Sequence, residues 1–141
     1  MARRDSYIAH LKEVPLFEQC SKKDLNEIAK LTTDVTFPEG KVIMKQGALA
    51  SSFVIILSGS ATVRRNGRKL KVLGPSDYFG ELAVLLKRPR QATVTADEPL
   101  NALVVDRREL SRLLDDVPGL AKKMLYSTAE RLAEFDRKSI N

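Results

Sequence analysis

From Asp34 onward the chain leaves helical spacing for short apolar runs broken by turn residues, and that change of period constrains the fold more than any other feature. Val35-Thr36-Phe37 is turned by Pro38-Glu39-Gly40, and Val42-Ile43-Met44 ends near Gly47. Phe53 to Leu57 is continuously apolar, as expected of a strand buried in a barrel. Gly59 separates it from Ala61-Thr62-Val63-Arg64. Asn66-Gly67 then predicts a type I′ hairpin, a turn whose two central residues both need positive φ. Lys69 to Leu73 returns as the paired strand, closed by Gly74-Pro75-Ser76-Asp77. Gln91-Ala92-Thr93-Val94 reads as a further buried strand, and Glu98-Pro99 turns the chain into Leu103-Val104-Val105. Roughly eight short strands with regular turns predict a small barrel or jelly roll, which removes exposed sheet edges.

Helical patterns flank this region. Asp5 to Lys12 is expected as a short helix with Tyr7, Ile8 and Leu11 on one side. Val14-Pro15-Leu16-Phe17 breaks it, with Phe17 as a core anchor. Ser21-Lys22-Lys23-Asp24 carries the hydroxyl and the acidic third position of a capping box, opening a helix to about Leu31 with Leu25, Ile28, Ala29 and Leu31 inward. Asp106-Arg107-Arg108-Glu109 repeats that signature before Leu110, Leu113 and Leu114. After Val117-Pro118-Gly119, a longer helix is predicted from about Leu120 to Arg137. Along it Ala121, Leu125, Thr128, Leu132 and Phe135 alternate by four and three residues, the spacing of a coiled-coil seam, with Leu120 and Met124 widening the stripe. The expected fold is mainly β with flanking helices: an eight-stranded jelly-roll-like β-barrel over 34–106, N-terminal helices over 1–33 and C-terminal helices over 107–138, in a single domain spanning 1–141.

Composition removes several functional classes. A net charge of +6 with a pI near 9.6 suits an anionic ligand or partner. No apolar run approaches membrane-spanning length, and Arg3-Arg4 precedes no hydrophobic segment that would make it an export signal. A single cysteine, Cys20, excludes an internal disulfide, argues against an iron–sulfur sensor, which needs several thiolates, and fits a cytoplasmic setting. Its simplest role is that of a small packed residue. His10, the only histidine, has no second ligand or nucleophile at a recognisable spacing, so neither a metal nor a catalytic role is expected. Arg64, Arg65, Arg68, Lys69 and Lys71 make the hairpin basic, but no aromatic residues interleave them for base stacking; they read as a solvated edge.

Chemistry concentrates between Tyr78 and Val94. Gly80 can take positive φ and let another group approach the backbone, and Glu81-Leu82-Ala83 can open a helix whose first amides are free to meet an anion. Arg90, following Pro89 at the start of the next strand, is suited to a bidentate phosphate contact. Glu81 fits beside an anion only if it accepts hydrogen bonds from a neighbouring hydroxyl. A phosphate joined to a ribose satisfies both groups. Lys87 and Arg88 raise the local positive potential.

Phe79-Gly80-Glu81-Leu82-Ala83, six residues, then Arg90-Gln91-Ala92-Thr93-Val94 closely resembles the phosphate-binding cassette of the cyclic-nucleotide-binding domain family, which includes catabolite activators, kinase regulatory subunits and gated channels. The resemblance runs from about Val14 to the C-terminus. It implies that Glu81 binds the ribose 2′-OH and Arg90 the cyclic phosphate, with backbone amides of Leu82, Ala83 and Gln91 completing the cradle, and Gly80 and Ala92 shaping it. It implies that the last helix is a lid over the base and often a dimer helix, with Arg131 and Phe135 as candidate lid residues. Gln91 departs from the family, where Ala, Ser or Thr usually follows the arginine; this leaves cAMP, expected ahead of cGMP, open to test. The chain ends soon after that helix, so no helix-turn-helix is expected, and with it no DNA binding. The resulting expectation is a non-catalytic, cytoplasmic cyclic-nucleotide sensor, without metal or cofactor, whose C-terminal helix moves on binding. It would signal to an effector protein in trans, with a homodimer through that helix as a further candidate. The alternative is a ligand-free interaction or dimerisation module of the same fold.

Overall fold

The computed structural model describes residues 8–9, 11–49, 51–80, 84, 86–117 and 119–140, with only the helical backbone described at 131 and 135–140. Eight strands are present: β1 (Thr33–Phe37), β2 (Val42–Met44), β3 (Ser52–Ser58), β4 (Ala61–Arg65), β5 (Arg68–Leu73), β6 (Tyr78–Phe79), β7 (Thr93–Ala96) and β8 (Leu100–Asp106). They form two antiparallel four-stranded sheets, ordered β1-β8-β3-β6 and β2-β7-β4-β5. Early strands pair with late ones, β1 with β8 and β2 with β7, so the chain closes back on its own start in the manner of a jelly roll. Asn66 and Gly67 both have positive φ, as a type I′ turn demands, and join β4 to β5.

The residues divide into two compact units, one of 29–111 and one of 1–28 with 112–141. In the first, inward side chains from both sheets make one core: Val54, Ile56, Phe79, Leu100 and Ala102 from one, Met44, Ala61, Val63, Leu73, Val94 and Ala96 from the other. Residues 53–57 of β3 are all buried, so both faces of this strand are covered, which is why its sequence is apolar without alternation. The sequence alone assigns no element at β6. Tyr78 and Phe79 pair with Ile55 and Val54 of β3, a strand too short for any periodicity to reveal.

In the helical unit, a 3-10 turn at Pro15–Phe17 buries Leu16 and Phe17. Lys123 donates to the Pro15 carbonyl at 2.6 Å and to Glu18 at 2.8 Å. Helix α1 (Lys22–Leu31) starts at the expected capping box: the Ser21 hydroxyl accepts from Asp24 N at 3.1 Å, and the Asp24 carboxylate accepts from Ser21 N at 3.2 Å. Cys20 is half-buried, and burial followed by the nearby Asp24 charge pushes its thiol pKa up, which keeps it protonated and unreactive. Helix α2 (Arg107–Asp116) is capped by Asp106, whose Oδ1 accepts from Glu109 N at 2.8 Å. Of the expected first helix, Ile8, Ala9, Leu11 and Lys12 are helical and Leu11 is buried; Tyr7 and His10 lie outside the described residues.

Helix α3 (Leu120–Ile140) divides the expected stripe. Leu120 and Met124 are buried, whereas Ala121, Leu125 and Leu132 are exposed, Leu125 at 68% and Leu132 at 60%. Adjacent residues lie about 100° apart around a helix, so the buried stripe is the neighbouring one. Periodicity locates a stripe, but when two run side by side the packing partners decide which one is covered. Met124→Ala should therefore cost about 2–5 kcal/mol in urea denaturation. Leu125→Ala should stay within about 0.5 kcal/mol at low protein concentration. Equal losses would contradict this helix rotation.

Candidate functional site

The site is built on the β6–β7 connection. Immediately after Phe79, Gly80 turns the chain at φ 89°. A Cβ on this residue would lie 2.5 Å from Met44 Cε, 2.9 Å from Met44 Sδ and 2.7 Å from Arg90 Nη1. Glycine is thus required twice, by backbone conformation and by the groups packed against it. Val84 and Leu86 are helical, and Val84 N donates to the Gly80 carbonyl at 3.4 Å. Arg107, the first residue of α2, donates from Nε to the Val84 carbonyl at 3.3 Å, tying this turn to the start of the C-terminal helices.

Arg90 is the one buried arginine among the described residues, with 8% of its surface exposed. Its Nη1 donates to the Gly80 carbonyl at 3.0 Å, and its Nη2 donates to the Ser52 carbonyl at the start of β3. Its main chain is fixed as firmly: Arg90 N donates to Ala48 O at 2.8 Å, and Arg90 O accepts from Gly47 N at 2.9 Å. Pro89 and Leu49 form the adjoining antiparallel bridge. A permanently charged, planar guanidinium is therefore held in one orientation by carbonyls of two separate segments. Such a fixed fork matches the geometry of a phosphate or carboxylate.

Gly80 and Arg90 are thus brought together, through a carbonyl contact that the sequence reading had not foreseen. Ala92 is half-buried against the barrel core. Gln91 is exposed, and its carbonyl accepts from Arg65 Nε at 3.0 Å. Lys87 and Arg88 are both exposed. Glu81, Leu82 and Ala83 lie outside the described residues, as do the side chains of Arg131 and Phe135. One expectation is corrected: Arg90 does not open a strand, because β7 begins at Thr93 and Gln91 and Ala92 form a bend. Arg90 pairs instead with the 47–48 turn, while Thr93 Oγ1 accepts from Gln46 N at 2.9 Å. Met44, Gln46, Gly47, Ala48, Ser52 and Arg65 all support this arrangement, and sequence reasoning gave none of them a place in it. Only Gly47 left a sign, as a turn glycine, because main-chain contacts across forty residues have no sequence signature.

A family model for the cyclic nucleotide-binding domain matches residues 34–117, and the chain belongs to that family. Among solved structures, it is similar to the catabolite activator protein of Thermus thermophilus at 29% identity and a TM-score of 0.81, covering 88% of this chain and 61% of that one. It is also similar to the regulatory domain of Toxoplasma gondii PKA, solved with cAMP, at 27% identity and a TM-score of 0.79, covering 92% and 51%. A cAMP-binding acyltransferase from Mycobacterium smegmatis matches at 29% identity and a TM-score of 0.76, covering 91% and 41%. The chain therefore spans between about two fifths and three fifths of these relatives' lengths. Among the described residues, no helix is long and apolar enough to cross a membrane.

Gly80→Ala should destabilise the protein by about 1–3 kcal/mol in chemical denaturation, through positive φ and the overlap with Met44 and Arg90. Gly74→Ala is the control: its φ is unstrained and nothing lies within 4 Å, so its effect should stay within about 0.5 kcal/mol. Equal effects at the two positions would show that the Gly80 turn is not the constrained one.

Proposed function

We propose that the chain is a cyclic-nucleotide sensor, one module spanning 1–141, that binds cAMP in preference to cGMP and acts by binding alone. The observation that carries this reading is Arg90, buried to 8% exposure and oriented at the Gly80 carbonyl, within a chain of the cyclic-nucleotide-binding family. Arg90 would donate two parallel N–H bonds to the cyclic phosphate. Gly80 leaves room for the guanidinium, and Leu82, Ala83 and Gln91 would offer main-chain amides to the same phosphate, with Ala92 at its edge. Glu81 would accept from the ribose 2′-OH; this assignment, like the lid roles of Arg131 and Phe135, is carried over from the family. The Arg107–Val84 bond supports a route for the signal, since movement of the cassette would pull on the first residue of α2. The nucleotide must bind one arrangement better than the other, because equal affinity shifts no population. The output would pass through α3 to a protein on another chain in the cytoplasm, or to a second copy.

One observation favours a second reading, a ligand-free interaction module. The Arg90 guanidinium is engaged by the Gly80 and Ser52 carbonyls, so it also serves as an internal brace. Calorimetric titration with cAMP and cGMP separates the two. Saturable binding is expected, and Arg90→Ala should weaken it by about 2–5 kcal/mol, the range for removing one partner of a buried charged pair. That corresponds to roughly tens- to thousands-fold in affinity. Equal binding by wild type and variant would remove Arg90 from the site, and no binding by the folded wild type would favour the ligand-free module.

A further inference from the structure

The tip of the β4–β5 hairpin reaches the turn that pairs with the Arg90 main chain and the residue that follows Arg90. On one side, the Gln46 side chain makes two bonds to Asn66: Nε2 donates to Asn66 Oδ1 at 2.9 Å, and Oε1 accepts from Asn66 N at 2.9 Å. Gln46 is also anchored through its own N–H to Thr93 Oγ1 at 2.9 Å, and it directly precedes Gly47 and Ala48, which pair with the Arg90 main chain. On the other side, Arg65 Nε donates to the carbonyl of Gln91, the residue after Arg90, at 3.0 Å. The bonds close a ring: Asn66, Gln46, the 47–48 turn, Arg90, Gln91 and Arg65, back to Asn66. The Asn66 φ of 53° fixes the hairpin tip so that its N–H and its side-chain amide face the same glutamine.

We infer that Gln46, Asn66 and Arg65 are positioning residues for nucleotide binding, which set the Arg90 backbone and so the plane of its guanidinium without contacting the ligand. The inference rests on the proposed function and adds to it residues that lie outside the cassette. The bonds from Gln46 to Asn66 and from Arg65 to Gln91 are exposed and each is modest by itself. Together they fix the segment on which the guanidinium stands, and a bidentate contact is sensitive to that orientation in a way a point charge is not. Part of the basic hairpin thereby gains a role beyond solvation: Arg65 acts through its Nε–H, not through its charge.

The test is a double-mutant cycle read by cAMP titration, with folding stability measured on every variant. Gln46→Met, which cuts both bonds to Asn66, should weaken cAMP binding about tenfold, the lower end of what losing an orienting partner behind a direct metal ligand costs. Gln46→Glu, which keeps the oxygen acceptor for Asn66 N, should recover part of that loss. Arg65→Lys should lose as much as Arg65→Met, although it keeps the charge. In an Arg90→Lys background, where no planar fork remains, Gln46→Met should change affinity less than about twofold. Equal losses in both backgrounds would mean a merely structural role and overturn the inference, as would full binding by Gln46→Met. If the wild type itself binds no cAMP, the proposed function falls first and this inference with it. Normal wild-type binding with an indifferent Gln46 overturns the inference alone.

Discussion

The geometry of the site depends on the approach of the Arg90 guanidinium to the Gly80 carbonyl, 3.0 Å from Nη1. A guanidinium is charged at all accessible pH values, so burying it requires acceptors fixed in advance. The main-chain carbonyls of Gly80 and Ser52 meet that need from two different segments. For Gly80 to serve, the chain must turn at positive φ with no side chain in the way, since a Cβ would sit 2.7 Å from Nη1. The thioether of Met44, in the barrel core, closes the other side of the same space. Core packing, turn conformation and charge placement meet at one residue, and changing any of them moves the guanidinium.

The sequence revealed the barrel through the physics of its turns and runs. Asn66-Gly67 demanded a hairpin, Phe53 to Leu57 demanded a buried strand, and Ser21 with Asp24 demanded a helix start; each is found as expected. The positive φ of the Gly80 turn was legible from the sequence, but its carbonyl's contact with Arg90 was not. What escaped was whatever depends on contacts between distant segments. β6 has only two residues, so no period announces it. The Arg90 main chain pairs with Gly47 and Ala48, and nothing local to either segment encodes that partnership. On α3, two apolar lines lie side by side, and spacing alone did not say that Leu120 and Met124 would be buried while Leu125 and Leu132 stay exposed.

The basic residues divide by burial into different kinds of work. Arg90 is enclosed and oriented, so its charge acts at short range in a low effective dielectric. Lys87 and Arg88 are exposed and contribute a salt-screened potential that favours encounter with an anion. Arg65 is exposed as well, yet its hydrogen bond to the Gln91 carbonyl gives it a geometric task. Net charge alone would have grouped all four. Arg107 extends the pattern, since its bond to Val84 joins the turn after Gly80 to the first residue of α2.

The central claim is that a cyclic phosphate is held where Arg90 meets Gly80, and amide chemical-shift mapping during addition of cAMP to isotopically labelled protein tests it most directly. The account predicts the largest shifts at Gly80, Leu82, Ala83, Arg90, Gln91 and Ala92, with a secondary response at Gly47 across the main-chain pair. Shifts confined to the hairpin tip or to α3, with Gly80 and Arg90 unmoved, would contradict it.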